Sequence, residues 1–196
     1  MTNASEETTK GLTVAKLKSI DNYPEDQNTK VNGVTWFKED SYKSSEYNWL
    51  CKIFSKATKK QTMRTKGTPD FIITLVIECK GSVEEHTRYN DVKKYIGYGY
   101  GSSNETEKYA IDGALWYASF LKSDYDVVSV GISGQTQAEA RVTSFVWPKG
   151  GNVSDIELLE DGYLDNSLVS IKQYKEDVDV VLDRLSSTRE EVRKEL

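Results

Sequence analysis

The stretch Gly67-Thr68-Pro69-Asp70-Phe71-Ile72-Ile73-Thr74-Leu75-Val76-Ile77-Glu78-Cys79-Lys80-Gly81 decides how the chain is read. Phe71 to Ile77 is apolar except for Thr74, the pattern of a buried strand. Charge brackets the run, with Asp70 at its entrance and Glu78 and Lys80 at its exit. Side chains alternate faces along a strand, so Glu78 and Lys80 share one face and Cys79 takes the other. A carboxylate and an ammonium at the end of a buried strand are costly to desolvate unless they pair or hold an ion. Two readings follow. One is an ion pair at a sheet edge. The other is a metal site, in which two converging carboxylates suit a hard cation such as Mg²⁺ and the Lys handles a water.

Pro69-Asp70 followed by Glu78-Cys79-Lys80 resembles the motif of the PD-(D/E)XK nuclease superfamily. Asp70-Phe71-Ile72-Ile73, Val76-Ile77-Glu78-Cys79-Lys80 and Tyr109-Ala110-Ile111-Asp112-Gly113-Ala114-Leu115-Trp116-Tyr117-Ala118 are similar to the N-terminal nuclease domains of restriction–modification enzymes. Those include type I restriction subunits and type IIG nuclease–methyltransferases. The resemblance runs from about Tyr42 to Val146. It implies a restriction-endonuclease-like three-layer α/β/α fold with a central mixed sheet. It also implies a Mg²⁺-dependent DNA endonuclease, with Mn²⁺ able to substitute. Asp70 and Glu78 would ligate the metal, Lys80 would position or activate water, and Glu46, on the helix before the motif, would assist, the alternative for Glu46 being a solvated surface carboxylate. As chemical rather than packing residues, Asp70, Glu78 and Lys80 are expected to be replaceable without loss of the fold.

Upstream, Tyr47, Leu50, Cys51 and Phe54 recur at helical steps, which predicts a helix over 42–59. After Glu46 come Lys52, Lys56, Lys59, Lys60, Arg64 and Lys66, with no acid until Asp70. Such a run suits a polyanion backbone, because Lys and Arg replace the counterions condensed on phosphates. Lys56, Lys59, Lys60, Arg64 and Lys66 are therefore candidate contacts to double-stranded DNA. The alternative is a solvated basic face.

The motif has one awkward feature. The family's hairpin must turn between Asp70 and Glu78, yet none of the intervening residues is Gly, Asn, Asp or Pro. Either the chain turns on apolar residues near Thr74, or a loop is missing. Beyond Lys80 lies a polar segment with the only histidine, His86, an auxiliary candidate as ligand or base, with a surface position as the alternative. Gly97-Tyr98-Gly99-Tyr100-Gly101-Ser102-Ser103 lacks the Lys-Ser of a phosphate loop and reads instead as a Tyr/Gly loop whose rings could stack on bases.

Asn104 with Glu107 has capping-box spacing and predicts a single buried helix over 106–121. Members of the superfamily carry Gln-x-x-x-Tyr there. Tyr117 supplies the Tyr, but Gly113 stands in place of the Gln, and Asp112 is an auxiliary candidate facing the cleft. Residues 126–133 read as a central strand and 141–147 as a more edge-like strand ending at Pro148. From about Leu168 a helical stripe of Val178, Leu182, Leu185, Val192 and Leu196 runs to the last residue, which reads as a piece of a longer polypeptide.

The 196 residues divide into an N-terminal extension (1–40) with a hairpin around Asn32-Gly33, a nuclease core (41–150) and a C-terminal helical segment (151–196) leading towards a further domain. Val14, Leu17 and Ile20 mark a short helical face in the first part. Hydrophobic content of 37% and charged content of 29% read as a soluble chain on the polar side, no apolar run approaches the length needed to span a bilayer, and the polar N-terminus is not a signal peptide. Two cysteines make no disulfide framework, and a cytoplasmic location is expected. The net charge of −5 argues against general nucleic-acid coating but not against a local basic surface. A fused or associated methyltransferase or motor is the expected partner. Rival readings are a catalytically silent DNA-binding domain and a scaffold domain.

Overall fold

A computed structural model describes residues 4–19, 37–38, 71–72, 75–167, 176–177 and 179–185. It shows a mixed α/β fold. Helix α1 (Ala4–Ser19) is followed by strands β1 (Phe37–Lys38), β2 (Phe71–Ile72) and β3 (Leu75–Lys80). Helices α2 (Ser103–Lys108) and α3 (Ala110–Leu121) then lead to β4 (Val127–Ser133), β5 (Arg141–Trp147) and β6 (Glu157–Tyr163). Residues 179–185 are helical again. The hairpin expected around Asn32-Gly33 and the basic helix expected over 42–59 lie outside the described residues.

The strands form one six-stranded sheet in sequence order. β1 to β3 form an antiparallel meander, β3 and β4 run parallel, and β4 to β6 are antiparallel. The parallel step requires a crossover, and α2–α3 provide it. Phe71 pairs with Ile77 and Ile72 with Val76, leaving only positions 73 and 74, outside the described residues, between β2 and β3. β5 is an interior strand between β4 and β6, not an edge. The sheet continues past residue 150 into β6, where a helical segment was expected.

Strand alternation divides the core in two. On one face Val76, Val127, Phe145 and Trp147 pack with Ile111, Leu115 and Leu121 of α3. On the other, Ile77, Cys79, Val128, Val130 and Ile132 pack with Leu17 of α1. Helix α1 is pinned by polar contacts as well. The Thr9 hydroxyl lies 3.0 Å from the Lys80 carbonyl oxygen and 2.5 Å from that of Gly134, and Thr13 Oγ1 lies 3.6 Å from Cys79 Sγ. The apolar residues that predict α3 are buried as expected, but the helix begins later. Ser102 and Glu105, not Asn104 and Glu107, form the capping box of α2, and Tyr109 breaks the run with extended backbone (φ −106°, ψ 136°).

Candidate active site

Glu78 and Lys80 leave β3 on the α3 face, where Glu78 registers with Gly131 and Lys80 with Ser133 of β4. Lys80 Nζ donates to Glu78 Oε1 at 3.0 Å. Both are largely buried, at 3% and 9% exposure. Helix α3 comes close here because two glycines permit it. A Cβ on Gly113 would stand 2.9 Å from Glu78 Cγ and 3.1 Å from its Cδ, while one on Gly131 would stand 2.9 Å from Ile111 N. Position 113, where the resemblance expects Gln, therefore has no room for a side chain while Glu78 holds this rotamer.

As a metal donor, Glu78 supplies hard carboxylate oxygen, which fits Mg²⁺ better than a soft metal. Among the described residues no three His, Cys, Asp or Glu side chains converge into a metal-holding group. Asp70 and Glu46, the other acids of the expected set, lie outside the described residues, as do Lys56, Lys59, Lys60, Arg64 and Lys66.

The auxiliary candidates sit elsewhere. His86 is not a surface residue. It is 1% exposed, and its ring lies between Ser133 Oγ (2.8 Å from Nδ1) and Thr143 Oγ1 (2.8 Å from Nε2). Thr143 donates its one hydroxyl proton to Asp161 Oδ1 at 2.7 Å, so it can only accept from His86 Nε2–H. Nδ1 is then the acceptor for the Ser133 hydroxyl. The chain Ser133–His86–Thr143–Asp161 ties β4, β5 and β6 together behind Lys80. Burial, with the Arg141 guanidinium adding to it, lowers the His86 pKa to about 3, so the ring is neutral. Its backbone carbonyl accepts from Ile111 N–H at 3.1 Å and so caps α3.

Asp112 does not face the cleft. It is fully buried and accepts from Tyr95 Oη (2.5 Å) and Gly101 N–H (2.7 Å), with Arg88 Nε in an ion pair at 2.9 Å. Burial raises its pKa despite these partners, and raises that of Tyr95 as well. Tyr117 is a core residue, 1% exposed, with its ring 5.0 Å from that of Trp116.

Sequence reasoning missed Arg88, Tyr95, Ser133, Thr143 and Asp161. For Arg88 a signal exists: a carboxylate inside so apolar a helix demands a buried cation. For Ser133 and Thr143 there is none, since small hydroxyls are ordinary strand residues.

No protein-family model matches the chain, and neither a curated protein nor a solved structure is detectably similar to it. Among the described residues, no helix is long and apolar enough to cross a membrane.

Proposed function

We propose that this chain is a Mg²⁺-dependent DNA endonuclease domain of the restriction–modification type, with a restriction-endonuclease-like fold. One observation carries the reading. Phe71 pairs with Ile77 across the β2–β3 hairpin, and the sequence neighbours of that pair are Asp70 and Glu78. Continued by one residue, that register would set Asp70 opposite Glu78, the juxtaposition that the Asp/Glu-x-Lys pattern calls for. Support also comes from Lys80, two residues on, whose ammonium sits at the Glu78 carboxylate.

In this reading Asp70 and Glu78 hold the metal, with Glu46 assisting. When bound, Mg²⁺ supplies charge neutralisation at the scissile phosphate and a more acidic water. Lys80 would orient an attacking water through its remaining protons, and Glu78 keeps the ammonium in place. The hydroxyl–imidazole chain ties together β4, β5 and β6, the strands that continue the sheet beside β3. The basic run from Lys56 to Lys66 supplies phosphate contacts, and the partner is a fused or associated methyltransferase or motor in the cytoplasm.

The absence of the family's Gln favours a second reading, a catalytically silent DNA-binding domain, because Gly113 stands in its place, packed against Glu78. Nicking of supercoiled plasmid with Mg²⁺ or Mn²⁺, compared with EDTA, tests the choice. Metal-dependent nicking lost in Glu78→Gln supports the enzyme. DNA binding without nicking supports the silent domain.

A further inference from the structure

Between Tyr95 and Ser102 the chain forms a loop whose shape is fixed from beneath. Gly97 and Gly99 take positive φ values of 88° and 62°, which side chains beyond glycine adopt only under strain. The Gly99 N–H donates to the Tyr95 carbonyl at 2.8 Å. Arg88 donates to the Gly99 carbonyl at 3.0 Å, and the Gly101 N–H donates to the buried Asp112 at 2.7 Å. Tyr100 packs against the core, whereas Tyr98, between the two glycines, is 74% exposed. A buried carboxylate, an arginine and two glycines thus set the backbone that presents one tyrosine ring. A ring on a preset backbone loses little conformational entropy when it meets a partner.

The surroundings point to a polyanion with aromatic faces. Lys93 and Lys94, just before the loop, are exposed and in no ion pair among the described residues. Of the neighbouring acids, Asp112 is buried and paired with Arg88, while Asp91 and Glu105 keep their charge and are fixed by the backbone N–H groups of Lys93 and Ser102. The loop is also tied to the site. Asp112, which holds Gly101, is followed by Gly113, the residue that lies against Glu78.

We infer that Tyr98 is a base-stacking contact, with Lys93 and Lys94 on the adjoining phosphates, and that it engages an unpaired or unstacked base of DNA. Stacking on a protein ring is tolerant of base identity, so the ring adds affinity for opened DNA rather than sequence preference. The inference rests on the DNA-binding reading of the whole chain, and the experiment separates the two.

The test uses the full chain in EDTA with two labelled oligonucleotides, one fully duplex and one with a short single-stranded gap carrying 2-aminopurine. Binding is read by anisotropy and stacking by 2-aminopurine fluorescence. The expected result is that Tyr98→Ala weakens binding of the gapped DNA about tenfold and abolishes the fluorescence change, while duplex binding is unchanged and Tyr98→Phe behaves as wild type. Gapped-DNA affinity and fluorescence unaltered in Tyr98→Ala, with wild-type binding intact, would overturn the stacking role alone. A Tyr98→Phe variant as weak as Tyr98→Ala would also overturn it, since the hydroxyl and not the ring would then meet the DNA. Wild-type protein that binds neither DNA would overturn the stacking role and the DNA reading together.

Discussion

Lys80 Nζ stands 3.0 Å from Glu78 Oε1 on one face of β3, and the two side chains are only 11% and 4% exposed. A pair this sheltered is coupled to the fold as well as to any chemistry. Removing one partner leaves the other charge buried, which costs about 3–5 kcal/mol in such settings, whereas replacing both with apolar groups is far milder. The expectation that Lys80 can be replaced without harm to the fold is therefore revised.

The first prediction follows from that coupling. Lys80→Met and Glu78→Gln each lower the urea midpoint clearly, and the double variant Glu78→Gln/Lys80→Met recovers much of the stability. A double-mutant cycle should give a coupling of about 1 kcal/mol or more. Strictly additive single effects would mean that the two groups do not support one another. Plasmid nicking should be abolished in all of these variants, including the recovered double.

Gly113→Ala tests the closeness of α3 to the site. The new methyl would lie 2.9 Å from Glu78 Cγ and 3.1 Å from the Thr106 carbonyl oxygen. Either Glu78 or the helix must shift, at about 1–3 kcal/mol. Under the nuclease reading, nicking should fall much further than stability does, because Glu78 is displaced. A variant with full nicking and a lower melting point would detach Gly113 from the chemistry.

How much of this was legible in the sequence depends on the element. The apolar density of β3, β4 and α3 announces them, and so does the shared face of Glu78 and Lys80. β6 is hidden. A bulge opposite Ser144/Phe145 disturbs its pairing. Its acidic, partly exposed side chains also lack strand character. The capping box is ambiguous in sequence because Ser102/Glu105 and Asn104/Glu107 have the same spacing, and the extended backbone at Ser102 (φ −65°, ψ 172°), with helix from Ser103 onward, decides between them. His86 looked like a surface residue because Glu84, Glu85 and Arg88 surround it in sequence. Its real neighbours, Ser133 and Thr143, come from strands that only the tertiary fold brings near.

His86 gives a pH prediction. Its pKa falls from 6.5 in the unfolded chain to about 3 in the fold, mainly through burial. Between those values the unfolded chain binds a proton that the folded chain refuses. Stability is thus fully present above about pH 6.5 and declines as pH falls, at up to about 1.4 kcal/mol per unit. His86 is the only histidine, and comparison with His86→Gln from pH 6.5 to 5.5 separates its contribution from that of the carboxylates. Urea midpoints should drop across that interval in wild type and stay level in His86→Gln. Equal slopes would show that the ring accepts its proton in place.

Asp112→Ala removes the acceptor of Tyr95 Oη and Gly101 N–H and the counter-charge of Arg88 in one step. Each buried donor left unsatisfied costs about 1–3 kcal/mol, so destabilisation by several kcal/mol is expected. The Gly101 amide should also exchange with solvent much faster than its neighbours in α3. Unchanged protection at Gly101 would mean that the loop is held by other interactions.

The last prediction concerns Lys56, Lys59, Lys60 and Arg64, whose case rests on the run of unopposed charge before Asp70. If they neutralise phosphates, replacing all four with Ala weakens DNA binding and makes log K less steep against log salt, by about 0.9 for each duplex phosphate that is no longer neutralised. The whole shift should appear on any duplex sequence, because phosphate contacts carry no base information. Tyr98→Ala should leave the same slope untouched, since a stacked ring releases no counterion. The pair of slopes therefore assigns the two surfaces separately: a slope unchanged by the four-residue variant returns that run to an ordinary solvated face, whatever the loop does.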